Sequence, residues 1–251
     1  LETAWEESFD PVLQERIEQV IHKIHFDHLK RDFQLWVDSE SHDLLEGAIL
    51  IARYQYHDLN ETHIRDQVER FRRAIWLELN FNLTPIEQVN VFNHVFYSLL
   101  GFSGKPPKQN SASAYYLNNV LESKSGNPVS LGLVYLIIAQ QLDLPIYGVK
   151  LPQFFVLAYM KNFLEYLPAG EDHRKQVLFY VNALNKGTIF TRNEIKQYLR
   201  RMQLPQDEQY FNPCSNKAVL AVVISALMNA YNQESAFEKV KELEALRDIL
   251  E

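Results

Sequence analysis

The sequence predicts an α+β fold, mainly helical, in which one buried helix packs on a small antiparallel sheet. Three observations carry this. Val129 to Leu142 is nearly all apolar, which marks a helix covered on every side rather than along one stripe. Past Asp143-Leu144-Pro145 the pattern changes, and Ile146 to Lys150, Phe154 to Tyr159 and Gln176 to Asn182 read as strands. Helix-start signals fill the first hundred residues, and the 8 glycines in 251 residues are too few for a turn-rich all-β chain.

Asp10-Pro11 opens the first helix, with proline at the first helical position, where its missing N–H costs nothing. Val12, Leu13, Ile17, Val20, Ile21 and Ile24 recur close to the 3.6-residue period and predict its apolar stripe. Ser41 to Tyr56 is the second helix, with Ser41 as the expected cap and Leu44, Leu45, Ala48, Ile51 and Ala52 inside. Asn60-Glu61-Thr62-His63 starts a third, running to about Leu79. Thr84-Pro85-Ile86-Glu87 combines a capping Thr, a first-position Pro and a third-position Glu, and starts a helix reaching about Leu100. Gly101 to Ser113 (GFSGKPPKQNSAS) is the main break. A short helix over Tyr115 to Leu121, a turn at Gly126-Asn127-Pro128 and a helix over Thr191 to Arg201 complete the middle of the chain. Asn216 to Leu250 reads as a helical hairpin turning at Gln233-Glu234-Ser235, with a texture that resembles one tetratricopeptide-type unit. A single such unit forms no solenoid, so it must pack on the main body. The expected organisation is an N-terminal helical region (1–100), a core (101–205) and a C-terminal helical hairpin (206–251).

Composition limits the function. The 25 Lys+Arg against 32 Asp+Glu give a formal net charge of -7, which argues against nucleic acid as a partner because counterion release needs a basic face. The local clusters Arg70, Arg72 and Arg73, and Arg200 and Arg201, sit beside acids at helical spacing and read as solvated faces. A lone cysteine, Cys214, excludes an internal disulfide and a multi-thiolate zinc site, and it reads as structural. Residues 1–10 (LETAWEESFD) carry no apolar signal segment, and no apolar run approaches the roughly 20 residues of a membrane helix, so a cytoplasmic setting with no membrane partner is expected. Neither a cofactor nor a metal is expected. His22, His25 and His28, with Asp27 nearby, follow an i, i+3, i+6 series that drifts around a helix, so all three cannot meet one ion; two of them could. His57-Asp58 and His63 flank a turn and are weaker still as ligands. Gly101-Phe102-Ser103-Gly104-Lys105 lacks the spacing and the preceding strand of a phosphate loop.

The stretch Tyr115-Tyr116-Leu117-Asn118-Asn119-Val120-Leu121-Glu122 is followed by Gly126-Asn127-Pro128-Val129-Ser130-Leu131. Then come Leu133, Tyr135-Leu136, Leu142-Asp143-Leu144-Pro145 and Gly148-Val149-Lys150-Leu151-Pro152. Leu100-Gly101-Phe102-Ser103-Gly104 lies upstream, and Phe179 to Gly187 (FYVNALNKG) lies downstream. In order and spacing this series resembles the bacterial SirB-type transglutaminase-like family, from about Leu44 to the C-terminus. The resemblance implies a papain/transglutaminase-like core for residues 101–205. It also implies a catalytic frame: a Cys at the start of the buried helix, where the dipole lowers its pKa, a His on the next strand and an acid on a further strand.

This chain departs from that frame at each position. Pro128, Val129 and Ser130 occupy the helix start, and Ser130 is the hydroxyl among them, reading as a cap. The family's proline-glycine-histidine-phenylalanine stretch is here Pro152-Gln153-Phe154-Phe155, with Phe154 in the His position. Asn182 stands where the family has an acid, and the nearest His, His173, lies in the polar segment Ala169 to Lys175. The resemblance therefore implies a non-catalytic protein that binds a protein or peptide partner. The expected degenerate cleft comprises Tyr115, Tyr116, Asn118, Asn127, Ser130, Phe154, Tyr180 and Asn182, with Phe155 and Tyr159 adding to its aromatic lining. An apolar plug filling the lost site is the plainer reading of these aromatics. The alternative function is a hydrolase or transferase using Ser130 with an unidentified base.

Overall fold

The computed structural model describes residues 11–80, 82–104, 111–152, 154–161 and 177–250. Among them, the first region is built of α1 (Pro11–Asp38), α2 (Leu44–Gln55), α3 (Glu61–Trp76) and α4 (Pro85–Asn93), the last continuing as a π-helical turn over His94–Leu99. Local chemistry sets these starts. The Asn60 side chain accepts the His63 amide at α3, and Thr84 and Glu87 form the reciprocal capping box expected at α4. At α2 the cap is Asp43 rather than Ser41, its carboxylate accepting the Glu46 amide. Asp43 sits immediately before the helix, and Ser41 lies two residues too early to reach its orphan N–H groups.

The expected stripe of α1 is corrected more strongly. Val12, Leu13, Val20 and Ile24 are each at least 40% exposed, while Leu29, Phe33 and Trp36 in the second half of the helix are buried. Periodicity marks an apolar face without naming what covers it.

The centre of the molecule is α6 (Pro128–Gln141), preceded by β1 (Ser103–Gly104), α5 (Leu117–Ser123) and β2 (Ser125–Gly126). β1 and β2 form a minimal parallel pair. Leu131 and Leu133 to Ala139 of α6 are all at most 2% exposed, as the unbroken apolar run requires. Against α6 lies a four-stranded antiparallel sheet in the order β3-β4-β5-β6: β3 (Ile146–Leu151), β4 (Phe154–Met160), β5 (Val177–Asn182) and β6 (Thr188–Phe190). The sequence reading located three of these strands; β6 is only three residues long, too short for an alternation to register.

Strand alternation splits the sheet's side chains between two cores. Phe155, Leu157, Tyr159, Phe179 and Val181 join α6 and the helices in one core that runs from Leu29 to Leu250. Val149, Leu151, Val156, Ala158 and Tyr180 face the other way, against α7 (Arg192–Arg201) and Phe211. The hairpin α8 (Asn216–Gln233) and α9 (Phe237–Leu250) packs on α1, α2 and α6. Its Tyr231 hydroxyl shares a hydrogen bond with that of Tyr116 and donates to Gln55. No helix among the described residues is long and apolar enough to cross a membrane.

Candidate functional site

The start of α6, where the family's thiol chemistry would begin, is a closed capping box. The Asn127 side-chain amide oxygen accepts the backbone amides of Val129 and Ser130, both at 3.0 Å. In return the Ser130 hydroxyl accepts the Asn127 amide at 3.1 Å. Both side chains are 1% exposed. Among the described residues no His, Lys or carboxylate hydrogen-bonds to Ser130. Its oxygen instead satisfies a buried backbone donor. Ser130→Ala is therefore expected to cost about 1–3 kcal/mol by orphaning that donor, seen as a lower urea midpoint at constant slope.

The other two positions that the resemblance assigns to catalysis, Phe154 and Asn182, lie on the sheet. Phe154 opens β4 and shares its face with Val156 and Ala158, whereas Phe155 is the residue turned onto α6. The Phe155 ring fits between two glycines: a Cβ on Gly132 of α6 or on Gly148 of β3 would stand 2.9 Å from it. Asn182 ends β5, and its side-chain amide oxygen accepts the Leu184 and Asn185 amides, capping the short turn Ala183–Asn185. Phe154 and Asn182 meet in a cavity of about 270 Å³ between the sheet and α7, lined also by Leu151, Phe190, Ile195 and Tyr198. Its polar groups are largely engaged: the Tyr198 hydroxyl donates to the Pro152 carbonyl, Thr188 to that of Asn185, and Glu194 closes the cap of α7 at Thr191. What remains is an apolar hollow with a polar rim. The contributions of Phe190, Ile195 and Tyr198 escaped the sequence reading, although the pairing of Ile195 with Tyr198 on an amphipathic helix is a signal that points there.

The remaining cleft residues do not converge on this cavity. Tyr180 lies beneath the sheet, 2% exposed, its hydroxyl donating to the Phe211 carbonyl. Tyr115 and Tyr116 are buried among the helices, with Tyr116 edge-on to Tyr56. Asn118 donates to Asn119 on that same side. Cys214 bridges to β3 through its backbone, and burial pushes its thiol up to about 11, away from the reactive thiolate. His173, Gln153 and the 1–10 segment lie outside the described residues.

The histidines regroup across elements. His25 packs on His57 at 4.6 Å between ring centroids and His22 lies 6.1 Å from His57, while His28 is exposed. No group of three or more His, Cys, Asp or Glu among the described residues is placed to hold a metal ion. The basic clusters are surface features, Arg72 and Arg73 both pairing with Glu69.

Comparison with known proteins adds a lineage to this geometry. Residues 62–225 match the family described as Transglutaminase-like superfamily. A UPF0162 protein of Xylella fastidiosa (strain 9a5c) is 26% identical over 213 residues, spanning 81% of this chain and 70% of that protein. Protein SirB1 of Salmonella typhimurium is 28% identical over 204 residues, with the same shares covered. No solved structure matches the chain at a significant level.

Proposed function

Because the chain belongs to the transglutaminase-like superfamily, its site is judged against that family's thiol chemistry, and we propose that it performs none of it and instead binds an apolar side chain of a protein or peptide partner. The docking point is the cavity between the sheet and α7. One observation carries this reading: Phe154 and Asn182, two of the three positions that the resemblance assigns to catalysis, line an apolar cavity that the third, Ser130, does not line. A nucleophile and its base must lie within hydrogen-bond reach to work. A Phe ring can accept no proton, and the Ser130 oxygen is committed to a cap. The hollow, about 270 Å³, is wide enough for one aromatic or large aliphatic side chain.

Two measurements test the proposal. In amine-incorporation and ester-hydrolysis assays the purified chain is expected to show no turnover above blank. Turnover that disappears in a folded Ser130→Ala variant would establish the hydrolase or transferase reading instead. Selection from a random displayed-peptide library should enrich an aromatic or aliphatic anchor. Binding of the selected peptides should weaken about ten- to a hundredfold in Ile195→Asp, the equivalent of losing one buried apolar side chain. Peptides indifferent to that substitution would move the binding surface away from the cavity.

A further inference from the structure

The cavity between the sheet and α7 is graded from an apolar floor to a polar mouth. Leu151, Val156 and Ile195 line it and are themselves at most 6% exposed. Asn185, Thr188 and Glu194 line it from the exposed surface, and Asn182 stands between the two sets as a half-buried wall. The polar groups of the mouth differ in what they can still bind. Thr188 donates its hydroxyl to the Asn185 carbonyl. One oxygen of Glu194 accepts the Thr191 amide at 2.7 Å and hydroxyl at 3.0 Å, and the carboxylate charge stays at the mouth. Asn182 is held differently. Its side-chain oxygen accepts the Leu184 amide at 3.1 Å and the Asn185 amide at 3.2 Å. Two backbone donors fix which end of that side chain is oxygen, and so leave Nδ2 as the end turned away from the turn. Nδ2 itself makes no hydrogen bond among the described residues. Asn182 therefore offers the cavity an N–H donor in a fixed direction. A carboxylate, which the resemblance gives the family at this position, could only accept.

We propose that Asn182 clamps the main chain of the partner, Nδ2 donating to the carbonyl oxygen of the residue whose apolar side chain fills the cavity. This rests on the reading of the cavity as a peptide-binding site and adds what the peptide must be. A side chain seated on Leu151, Val156 and Ile195 puts its tip on the apolar floor and its main chain at the mouth, beside Asn182. The carbonyl it presents must be uncommitted. That selects an extended segment, because the carbonyls inside a helix are already bonded to amides four residues on. The acceptor must also be neutral: a terminal carboxylate would meet the like charge of Glu194 at the mouth, so the occupant is an internal residue of an extended peptide.

The probes are displayed-library peptides whose binding depends on Ile195, with each amide in turn replaced by an ester, whose carbonyl is a weaker acceptor. In fluorescence-anisotropy titrations of the full chain, the ester at the anchor carbonyl should weaken binding about three- to tenfold, the worth of one hydrogen bond. Asn182→Asp keeps an oxygen for the Leu184 and Asn185 amides but loses the donor. It should weaken the parent peptide about ten- to a hundredfold and make that ester cost nothing further. The ester also removes the next N–H, but that loss would appear equally in both proteins, so the coupling reports the carbonyl. Should Asn182→Asp fail to match the wild-type circular dichroism and melting temperature, Asn182→Ser, which can also cap, takes its place. The clamp alone is overturned if no ester weakens binding, if its penalty is the same in the folded variant, or if amidating the peptide C-terminus abolishes binding. A selection that yields no Ile195-dependent peptide overturns the cavity reading and the clamp with it.

Discussion

Replacing Phe155 by alanine is expected to destabilise the chain by about 3–5 kcal/mol, the cost of emptying a large aromatic from a closed core. Phe155 is 2% exposed and its ring is held between Gly132 of the central helix and Gly148 of the first sheet strand. Neither glycine can refill the space, because neither has a side chain to lean inward, and both belong to regular elements that resist collapse. For a chain of this size the loss corresponds to a melting temperature lower by about 6–20 °C, readable by calorimetry. The neighbouring change, Phe154→Ala, should cost far less stability, since Phe154 is half-buried at the rim of the cavity. A Phe155→Ala loss below about 1 kcal/mol would show that the ring is not the wedge joining helix and sheet. The adjacent phenylalanines thus separate the two faces of the sheet experimentally.

Gly187→Ala is expected to lose a comparable amount, about 2–6 kcal/mol, through two independent costs. Gly187 has φ +69°, a region that costs a side-chain-bearing residue about 1–3 kcal/mol. An added Cβ would also overlap the Asn93 side-chain amide. That amide donates to the Gly187 carbonyl at 2.9 Å and accepts the hydroxyl of fully buried Tyr135 at 3.0 Å. Displacing Asn93 strands the tyrosine hydroxyl, at about 1–3 kcal/mol more. The variant Asn93→Ala separates the terms in equilibrium denaturation: it removes the hydrogen bonds and leaves the backbone free. If Gly187→Ala in that background costs nothing further, the positive φ contributes no strain.

These two positions also show how far a sequence speaks for itself. Gly148 and Gly187 stand out in the series that resembles the family, but their reasons are tertiary: an aromatic ring passing one, an amide from α4 touching the other. Helix starts at Asn60 and Thr84 were legible because a cap and its partners lie within four residues, and local hydrogen bonding alone decides them; Asn127, which caps α6, read only as part of a turn. The burial of α6 was legible too, since an uninterrupted apolar segment has no face to give to water. Ser41 was a near miss for Asp43, a matter of two residues along the same turn.

The candidate site was legible only in part. The resemblance points to Phe154 and Asn182 as the counterparts of the family's His and acid, and both line one cavity. It could not separate them from Tyr115, Tyr116 and Asn118, because strand alternation fixes which residues share a face but not which layer lies against that face. The pairing of His57 with His22 and His25, and the reach of Glu242 across 220 residues to His22, had no local signature at all. By itself, then, the sequence determined the class of fold, the central helix and most element boundaries, all consequences of short-range hydrogen bonding and apolar periodicity. The tertiary structure alone decided which side chains meet: the cavity beneath α7, the glycine-walled seat of Phe155, the exposure of the first helical stripe and the histidine cluster. Contacts between distant segments depend on how layers stack, and no spacing along the chain encodes that.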